Sequence, residues 1–184
     1  LYSLLSTSTQ TTTYKMFFAN ALIASILATT AAALPHRARA SSPNGNVQFV
    51  NNMGSDIYLC TTSSDSGSMK TLTSGGGTYS EEWHINSNGG GISIKLSTTQ
   101  NEDSVLQFEY TVDSDTLYWD LSSINLDPSS DFIKSGFSAQ PSDSSCKAAT
   151  CEPGDANCAD SYQHPDDVNT LSCSVDAQYI VTLG

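Results

Sequence analysis

The sequence predicts an all-β protein built as an antiparallel β-sandwich. Short runs of residues alternate between apolar and polar side chains with a period of two, as half-buried strands do. Clusters of Gly, Asn, Asp and Ser separate these runs. Beyond residue 34 no window repeats apolar side chains with the period of a helix. Strands at this spacing are typical of a sandwich or a barrel.

The N-terminal region is predicted to lie outside this fold. Residues 1–15 are rich in Ser and Thr and are interpreted as an upstream or unstructured segment. Met16 then opens an apolar run that ends in Ala31–Ala33, which predicts a secretory signal peptide over residues 16–33. The alternative is a membrane anchor, but the run is short for a bilayer span. Residues 34–45 are interpreted as a short pro-segment or flexible N-terminus, and residues 46–184 as one domain.

Each predicted strand is defined by its alternate apolar residues, and turn residues at 51–54, 74–77, 88–91 and 113–115 separate several of the strands. The other face of these strands must then carry the polar residues, among them Glu109 and Asp120. That face is either a solvated sheet surface or a binding surface. In chain order the strands are marked by Val47 and Phe49; Ile57 and Leu59; residues 78–85; Ile92, Ile94 and Leu96; Leu106, Phe108, Tyr110 and Val112; Leu117, Trp119 and Leu121; and residues 179–183.

The charge balance excludes several classes of partner. The full sequence carries a formal charge of −12, and removal of residues 1–40 leaves four lysines against nineteen acids, a charge of −15. Such a surface repels nucleic acid and anionic membranes. We therefore expect an extracellular protein that contacts neither nucleic acid nor, in its mature form, a membrane.

Several motifs resemble those of thaumatin-like proteins, and the chain is similar to the small secreted thaumatin-like antigens of fungi. The resemblance is carried by the opening residues 47–52 with 56–58, by Trp83–Asn86 followed by the glycines 89–91, by the two strands at 106–110 and 118–122, and by Cys146, Cys151, Cys158 and Cys173. It implies a thaumatin-like antiparallel β-sandwich reduced to the core domain. Residues 152–157 stand where larger members carry a disulfide-rich second lobe.

The resemblance also implies a nested pair of disulfides, Cys146–Cys173 around Cys151–Cys158. From the residues alone, four cysteines allow three pairings, and a zinc site of Cys151, Cys158, His164 and Cys173 is the rival interpretation. Cys60 is left as a free thiol, interpreted as a small buried residue on a strand, with a reactive or intermolecular role as the alternative. Met53 and Gly184 occupy the positions of a further half-cystine pair that this chain lacks.

A candidate binding cleft follows from the same resemblance. Larger members carry an acidic cleft, whose positions fall here on Lys95, Glu109, Asp120, either Asn125 or Asp127, and Asp167. We take Lys95, Glu109, Tyr118, Asp120, Asp127 and Asp167 as the candidate cleft residues. The cleft is expected to be shallow, because the lobe that forms its second wall is missing. Aromatic side chains available as sugar platforms are Tyr79, Tyr110, Tyr118, Tyr162 and Trp83, each of which could equally belong to the core.

Three functions remain open from the sequence. The first is a non-catalytic, cell-wall or surface-associated protein, for which the resemblance implies β-1,3-glucan as ligand. The second is a secreted antigen, effector or antimicrobial protein without a carbohydrate ligand. The third is a weak endo-β-1,3-glucanase with Glu109 as acid and Asp120 or Asp167 as its partner. No cofactor or metal site is expected, and the protein is expected to be a secreted monomer.

Overall fold

The computed structural model describes residues 45–63 and 67–184. The predicted upstream segment 1–15 and signal peptide 16–33 lie outside these residues, as does residue range 34–44 of the expected flexible N-terminus. Among the described residues, no helix has both the length and the apolar character needed to cross a bilayer.

The described residues form two β-sheets, as the alternating sequence predicts, and one short helix. Extended backbone suits these segments because β-branched and aromatic side chains alternate in them with polar ones. The elements are β1 (Asn46–Asn51), β2 (Ile57–Thr62), β3 (Lys70–Leu72), β4 (Gly77–Glu82), β5 (Ile92–Ser97), β6 (Leu106–Asp113), β7 (Thr116–Ser122), α1 (Asp131–Ser135), β8 (Phe137–Pro141), β9 (Ala149–Cys151), β10 (Leu171–Ser174) and β11 (Tyr179–Leu183).

The first sheet has the strand order β4-β1-β11-β8-β9, and the second has the order β10-β7-β6-β5-β2-β3. Neighbouring strands are antiparallel except for β1 and β11, which run parallel with Val47 opposite Tyr179. A parallel pair needs a long connection, and almost the whole domain lies between these two strands. The predicted sandwich is therefore present, with one parallel pair at the centre of its first sheet.

The core lies between the two sheets and is built around stacked aromatic rings. Phe108 packs face to face between Trp83 and Trp119, with ring centroids 6.0 Å and 5.6 Å away. Tyr179 of the first sheet contacts Trp119 with a centroid distance of 4.6 Å. Each of these rings is almost completely buried. Such contacts between large rings hold the two sheets in a fixed relation, and the outward face of the second sheet is thereby held in place.

Helix α1 differs from the sequence prediction, since it lies in a region where no helical period was found, and strands β3, β8, β9 and β10 were not predicted either. The Ser130 side chain accepts a hydrogen bond from the Ile133 amide, and Gly136 ends the helix with a φ of 78°. A five-residue helix completes little more than one turn, so no periodic stripe can announce it. Its capping residues were the signal available in the sequence.

Two disulfides, Cys146–Cys173 and Cys151–Cys158, join segments in the C-terminal third of the chain. This is the nested arrangement that the resemblance implies, and it leaves no thiolates for a zinc site at these four positions. Cys158 anchors the loop that follows β9, and Cys173 ties β10 of the second sheet to the segment leading into β9 of the first. The bridges therefore fix the loop beside the edge strand β10.

Candidate functional site

The outward face of the second sheet brings three of the six candidate residues together. Glu109 on β6 lies directly opposite Asp120 on β7, and Ser93 on β5 lies opposite Glu109 on its other side. Tyr118 precedes Asp120 by two residues and therefore points to the same face. Opposed residues of antiparallel strands have Cβ atoms about 4.5–5.5 Å apart, so the two carboxyl groups are close neighbours.

These residues line an open pocket with a volume of about 450 Å³. Its floor is the polar side of β5, β6 and β7. The alternation of the strands explains this floor, because the apolar partners Ile94, Phe108 and Trp119 point into the sandwich. The lining is formed by Thr62, Gly91, Ile92, Ser93, Glu109, Tyr110, Thr111, Tyr118, Asp120 and Thr170.

Glu109 is half-buried in a network of hydroxyl and amide groups. Burial raises the pKa of Glu109, while hydrogen bonds from the Ser122 and Ser93 hydroxyls and the charge of Lys95 act in the opposite direction. Ser122 in turn accepts a hydrogen bond from the Gln107 amide at 3.5 Å. The Ser93 hydroxyl donates to the Gln107 amide oxygen at 3.2 Å, so Ser93, Gln107 and Ser122 form a chain of polar groups beside the Glu109 carboxylate.

Asp120 differs from Glu109 because no hydroxyl group compensates for its burial. Burial, together with the neighbouring Glu109 charge, raises the pKa of Asp120 to about 7. Between the pKa of Glu109 and that of Asp120 the pair carries one proton, so that Asp120 can donate a hydrogen bond while Glu109 accepts one. The site then offers both a donor and an acceptor to a ligand.

Lys95 stands on the same face but does not line the pocket. Its ammonium group lies 2.6 Å from a carboxylate oxygen of Glu102, outside the Glu109–Asp120 row. It sits opposite Gln107, one row further along the sheet than Glu109. Lys95 therefore acts on Glu109 through its charge, without a contact that would neutralise the carboxylate.

The structure does not bring Asp127 and Asp167 to this pocket. Asp127 lies in the exposed turn before α1, where one carboxylate oxygen accepts from the amide and the hydroxyl of Ser129, both at 2.7 Å. Asp167 accepts from the amides of Gln163 and His164 at 2.7 Å and 2.8 Å. These hydrogen bonds lower the pKa of both carboxyl groups and occupy them in local turns. Asp127 and Asp167 therefore lie outside the pocket, although the family resemblance placed both in the cleft.

Of the five aromatic side chains considered as platforms for a sugar ring, Tyr118 is the one that is exposed to solvent. It is 44% exposed, whereas Trp83 and Tyr110 are core residues with exposures of 3% and 2%. Tyr79 is partly buried and donates its hydroxyl to Glu81 at 3.0 Å. Tyr162 is paired through its hydroxyl with Thr170 at 2.7 Å.

Cys60 is the free cysteine of the described residues, but it is not the buried core residue that the sequence interpretation favoured. It lies on the outward side of β2, partly exposed, opposite Lys95 of β5. Burial and the nearby Glu102 raise the pKa of the Cys60 thiol, which disfavours the reactive thiolate. The alternation of β2 around Leu59 was the signal for this outward position.

Thr170 is one of several lining residues that the sequence interpretation missed, and it comes from a distant part of the chain. Leu171 on β10 lies opposite Trp119, so Thr170 stands beside Asp120 at the end of the same row. Strand β10 is four residues long and pairs with a strand some fifty residues earlier. Its sequence alone carries no sign of that pairing. Within the described ranges, no group of three or more His, Cys, Asp or Glu side chains is placed to hold a metal ion.

Comparisons with known proteins agree with this architecture. The chain is 44% identical over 155 residues to the secreted thaumatin-like protein calA of Emericella nidulans, covering 84% of this chain and 90% of that protein. It is 41% identical over 121 residues to an antigenic thaumatin-like protein of Arthroderma benhamiae, covering 66% of this chain and 60% of that protein.

Two solved structures share the fold. The protein elicitor MoHrip2 of Magnaporthe oryzae superposes with a TM-score of 0.63 at 26% identity, over 76% of this chain and 98% of that one. The thaumatin-like xylanase inhibitor TLXI superposes with a TM-score of 0.50 at 11% identity, over 74% of this chain and 97% of that one.

The protein is accordingly a secreted thaumatin-like β-sandwich of small size, as the motifs and the nested cysteines predict. A family profile described as Bys1, Blastomyces yeast-phase-specific protein, matches residues 34–184, which include the whole of the described structure. The chain belongs to the Bys1 family.

Proposed function

We propose that this protein is a non-catalytic, cell-wall or surface-associated binding protein that holds β-1,3-glucan at the Glu109–Asp120 pocket. The observation that carries the proposal is the opposed pair of half-buried carboxyl groups on an open polar sheet face. A sugar hydroxyl both donates and accepts a hydrogen bond, and a pair that shares one proton matches it in both directions. The exposed ring of Tyr118 lies beside the pair and offers a flat apolar surface to a sugar ring.

The arrangement of the two carboxyl groups supports binding over hydrolysis. Cleavage of a glycosidic bond requires two carboxyl groups that flank the bond, one as acid and one as base or nucleophile. Glu109 and Asp120 stand side by side on one sheet and would meet a ligand from the same side. Asp167, the other candidate partner, is held by the amides of Gln163 and His164 in a separate turn.

The test is co-sedimentation of the purified protein with insoluble β-1,3-glucan at pH 5.5. We expect the wild-type protein to be depleted from solution, and Glu109→Gln and Asp120→Asn each to reduce the bound fraction at least tenfold. Asp103→Asn is the matched control, since Asp103 is an exposed acid outside the pocket lining. Binding that is equal for all four proteins, or no binding at all, would refute the proposal.

A reducing-sugar assay on the same samples separates binding from hydrolysis. We expect no sugar release above that of heat-denatured protein. Release by the wild-type protein that Glu109→Gln abolishes would replace this proposal with a weak endo-β-1,3-glucanase.

A second candidate function is that of a secreted antigen, effector or antimicrobial protein. It is favoured by the 26% identity to a protein described as an elicitor, together with the relative described as antigenic. Application of the folded protein to plant leaf tissue, to immune cells and to competing fungal cultures tests it. A response to the wild-type protein that Asp120→Asn leaves unchanged would support a role independent of the pocket.

A further inference from the structure

We propose that the outward face of the first sheet is a second binding surface, which attaches the protein to a flat layer of aligned, uncharged N-acetylglucosamine chains such as crystalline chitin. This face and the Glu109–Asp120 pocket lie on different sheets, with the core between them. The inference therefore goes beyond the proposed function. It rests on the charge, the spacing and the chemistry of the side chains on this face.

The outward face of the first sheet is almost without charge in a strongly acidic molecule. At the outward positions of its five strands, all of which the structure describes, Glu82 at one corner is the single charged side chain. The outward face of the second sheet, in contrast, carries Lys95, Glu109 and Asp120. An uncharged partner can thus cover the first face without removing water from charged groups, which would be costly.

The register of the five strands places the outward side chains in rows that cross the sheet. The central row is formed by Thr78, Val50, Thr182, Ser138 and Thr150, one from each strand. The next row is formed by Ser80, Gln48, Ile180 and Gln140. Strands about 4.8 Å apart and rows about 6.6 Å apart make a regular grid about 19 Å long. A grid of this kind matches a partner whose own groups repeat, as those of aligned polymer chains do.

The second row favours an acetamido group. Gln48 and Gln140 flank Ile180 on its two sides. A side-chain amide both donates and accepts hydrogen bonds, so it pairs with the N–H and the C=O of an N-acetyl group. Ile180 is 46% exposed and offers an apolar contact to the methyl group. A polymer of plain glucose has neither the amide nor the methyl group, so these three residues select the N-acetylated sugar.

A small pocket of about 190 Å³ opens at the end of the central row. Thr182, Ser138 and Thr150 line it together with Pro153. Pockets that take a whole small molecule usually measure about 300–1,000 Å³, so this one suits a side group of a sugar better than a ring. The hydroxyl groups of the row supply hydrogen bonds, and Pro153 supplies an apolar wall.

Several side chains of the face are restrained before any ligand arrives. Val50, Ile180 and Thr182 are β-branched, which restricts rotation about χ1. The Gln140 amide donates to the Thr150 hydroxyl at 3.3 Å. A surface with restrained side chains loses little conformational entropy on binding, so its contacts add to affinity.

A second copy of this chain fits the face less well than a polymer layer. The face measures about 19 Å by 13 Å, or roughly 250 Å². A stable protein interface buries about 800 Å² on each partner, and two molecules with a formal charge of −12 repel each other. A chitin layer is uncharged and presents many equivalent positions, so a modest affinity at each position retains the protein.

The experiment is co-sedimentation of the purified protein with crystalline chitin, with crystalline cellulose as the comparison. We expect chitin to deplete the wild-type protein, and Ile180→Asp and Gln140→Glu each to lower the bound fraction at least tenfold, because a carboxylate pressed against a neutral layer loses its water. Val168→Asp is the matched control, since Val168 is an exposed apolar residue (94%) outside the five strands. Thermal unfolding establishes that each variant is folded. If Ile180→Asp does not fold, Gln48→Glu takes its place with the same expectation.

The same variants are tested with insoluble β-1,3-glucan, which separates this inference from the proposed function. Loss of chitin binding by Ile180→Asp with unchanged glucan binding supports a second surface. No depletion by chitin, an equal loss in Val168→Asp, or equal retention by cellulose would overturn the inference and leave the glucan proposal standing. A dimer in analytical ultracentrifugation that Ile180→Asp dissociates would also overturn it, because a second copy would then be the partner of this face.

Discussion

Glu109 and Asp120 show how two identical chemical groups acquire different properties from their neighbours. Both are partly buried on the same sheet face, but the hydroxyls of Ser122 and Ser93 act to lower the pKa of Glu109, and no hydroxyl does so for Asp120. For Asp120, burial and the negative charge of Glu109 both disfavour ionisation. The ionised Asp120 is therefore an unfavourable group in the folded protein, and it is retained at a cost in stability. Such a cost is common where a residue serves binding.

We predict that Asp120→Asn stabilises the protein at pH 8 by about 1–2 kcal/mol after allowance for solvent screening. In the folded protein the pKa of Asp120 is raised from 3.8 to about 7, so between these values the folded state binds more protons than the unfolded state. Stability contributed by this group is thus present at pH 4 and is lost as the pH rises towards 7. The asparagine removes that loss, and the variant should therefore gain over the wild type as the pH rises.

The measurement is urea unfolding of wild type and Asp120→Asn at pH 4 and pH 8. Asp103→Asn is again the control, since Asp103 is exposed and should give the same small difference at both values. A gain for Asp120→Asn that is equal at pH 4 and pH 8 would show that the effect is not due to ionisation of Asp120.

At the scale of the elements, the longest alternating strands were predictable and the shortest were not. Strands β6 and β7 each present several apolar residues to the core, and their periods were clear from the sequence. Strands β3 and β9 have three residues each and α1 has five, so a period cannot be recognised in them. The extended form of the short strands comes from the partners beside them, which a single sequence does not identify.

The same distinction applies to the candidate site. Alternation alone assigns Glu109, Tyr118 and Asp120 to the outward face, and the family resemblance then placed Glu109 and Asp120 in a cleft. Thr170 was missed because its position depends on the pairing of β10 with β7. Asp127 and Asp167 came from the family resemblance, and local turns hold both of them elsewhere. A pattern within one strand could thus be read from the sequence, whereas the meeting of distant segments could not.

The disulfides allow a prediction for the elements that they join. Cys146–Cys173 joins residues 27 apart and Cys151–Cys158 joins residues 7 apart. The chain-entropy model gives about 3.5 kcal/mol for the longer loop and about 2.5 kcal/mol for the shorter one. We therefore expect the Cys146→Ala/Cys173→Ala pair to lower the free energy of unfolding by more than the Cys151→Ala/Cys158→Ala pair.

Urea unfolding of the two paired variants provides the measurement, at a pH where both are soluble. The longer bridge also holds β10 against the segment before β9, so its loss should weaken glucan binding through Thr170. Equal binding by both variants would argue that β10 keeps its place without the bridge. Greater destabilisation by loss of the inner bridge would contradict the loop-length argument.

At the scale of the whole molecule, the net charge affects interactions in solution, whereas the buried core determines the fold. A formal charge of −12 favours solubility and disfavours contact with polyanions, but it does not determine the fold. The fold depends on rings such as Phe108 and Tyr179, which join the two sheets through buried contacts. The outward face of the second sheet is therefore free to carry Glu109 and Asp120 without loss of the core.

The two ends of the domain meet beside the parallel pair β1 and β11, and this suggests a last prediction. The Asn52 amide donates to the Leu183 carbonyl oxygen at 2.9 Å. A Cβ atom placed on Gly184 would lie 3.1 Å from Cγ of the buried Met53. These are the two positions at which the family resemblance implies a disulfide that this chain lacks. We predict that Met53→Cys with Gly184→Cys forms that bridge.

The new bridge would close almost the whole domain into one loop, for which the chain-entropy model gives about 4–5 kcal/mol. Loss of the buried Met53 side chain offsets about 2 kcal/mol of this gain, and a side chain at Gly184, with its φ of +87°, adds strain of about 1 kcal/mol. We therefore expect a net stabilisation of about 1–2 kcal/mol.

Cys60→Ser is used as the background, so that the Cys60 thiol cannot form a competing disulfide. Peptide mapping without reduction and urea unfolding check the result against the two single variants. A pair that stays reduced in air would mean that the ends do not approach each other as the fold places them.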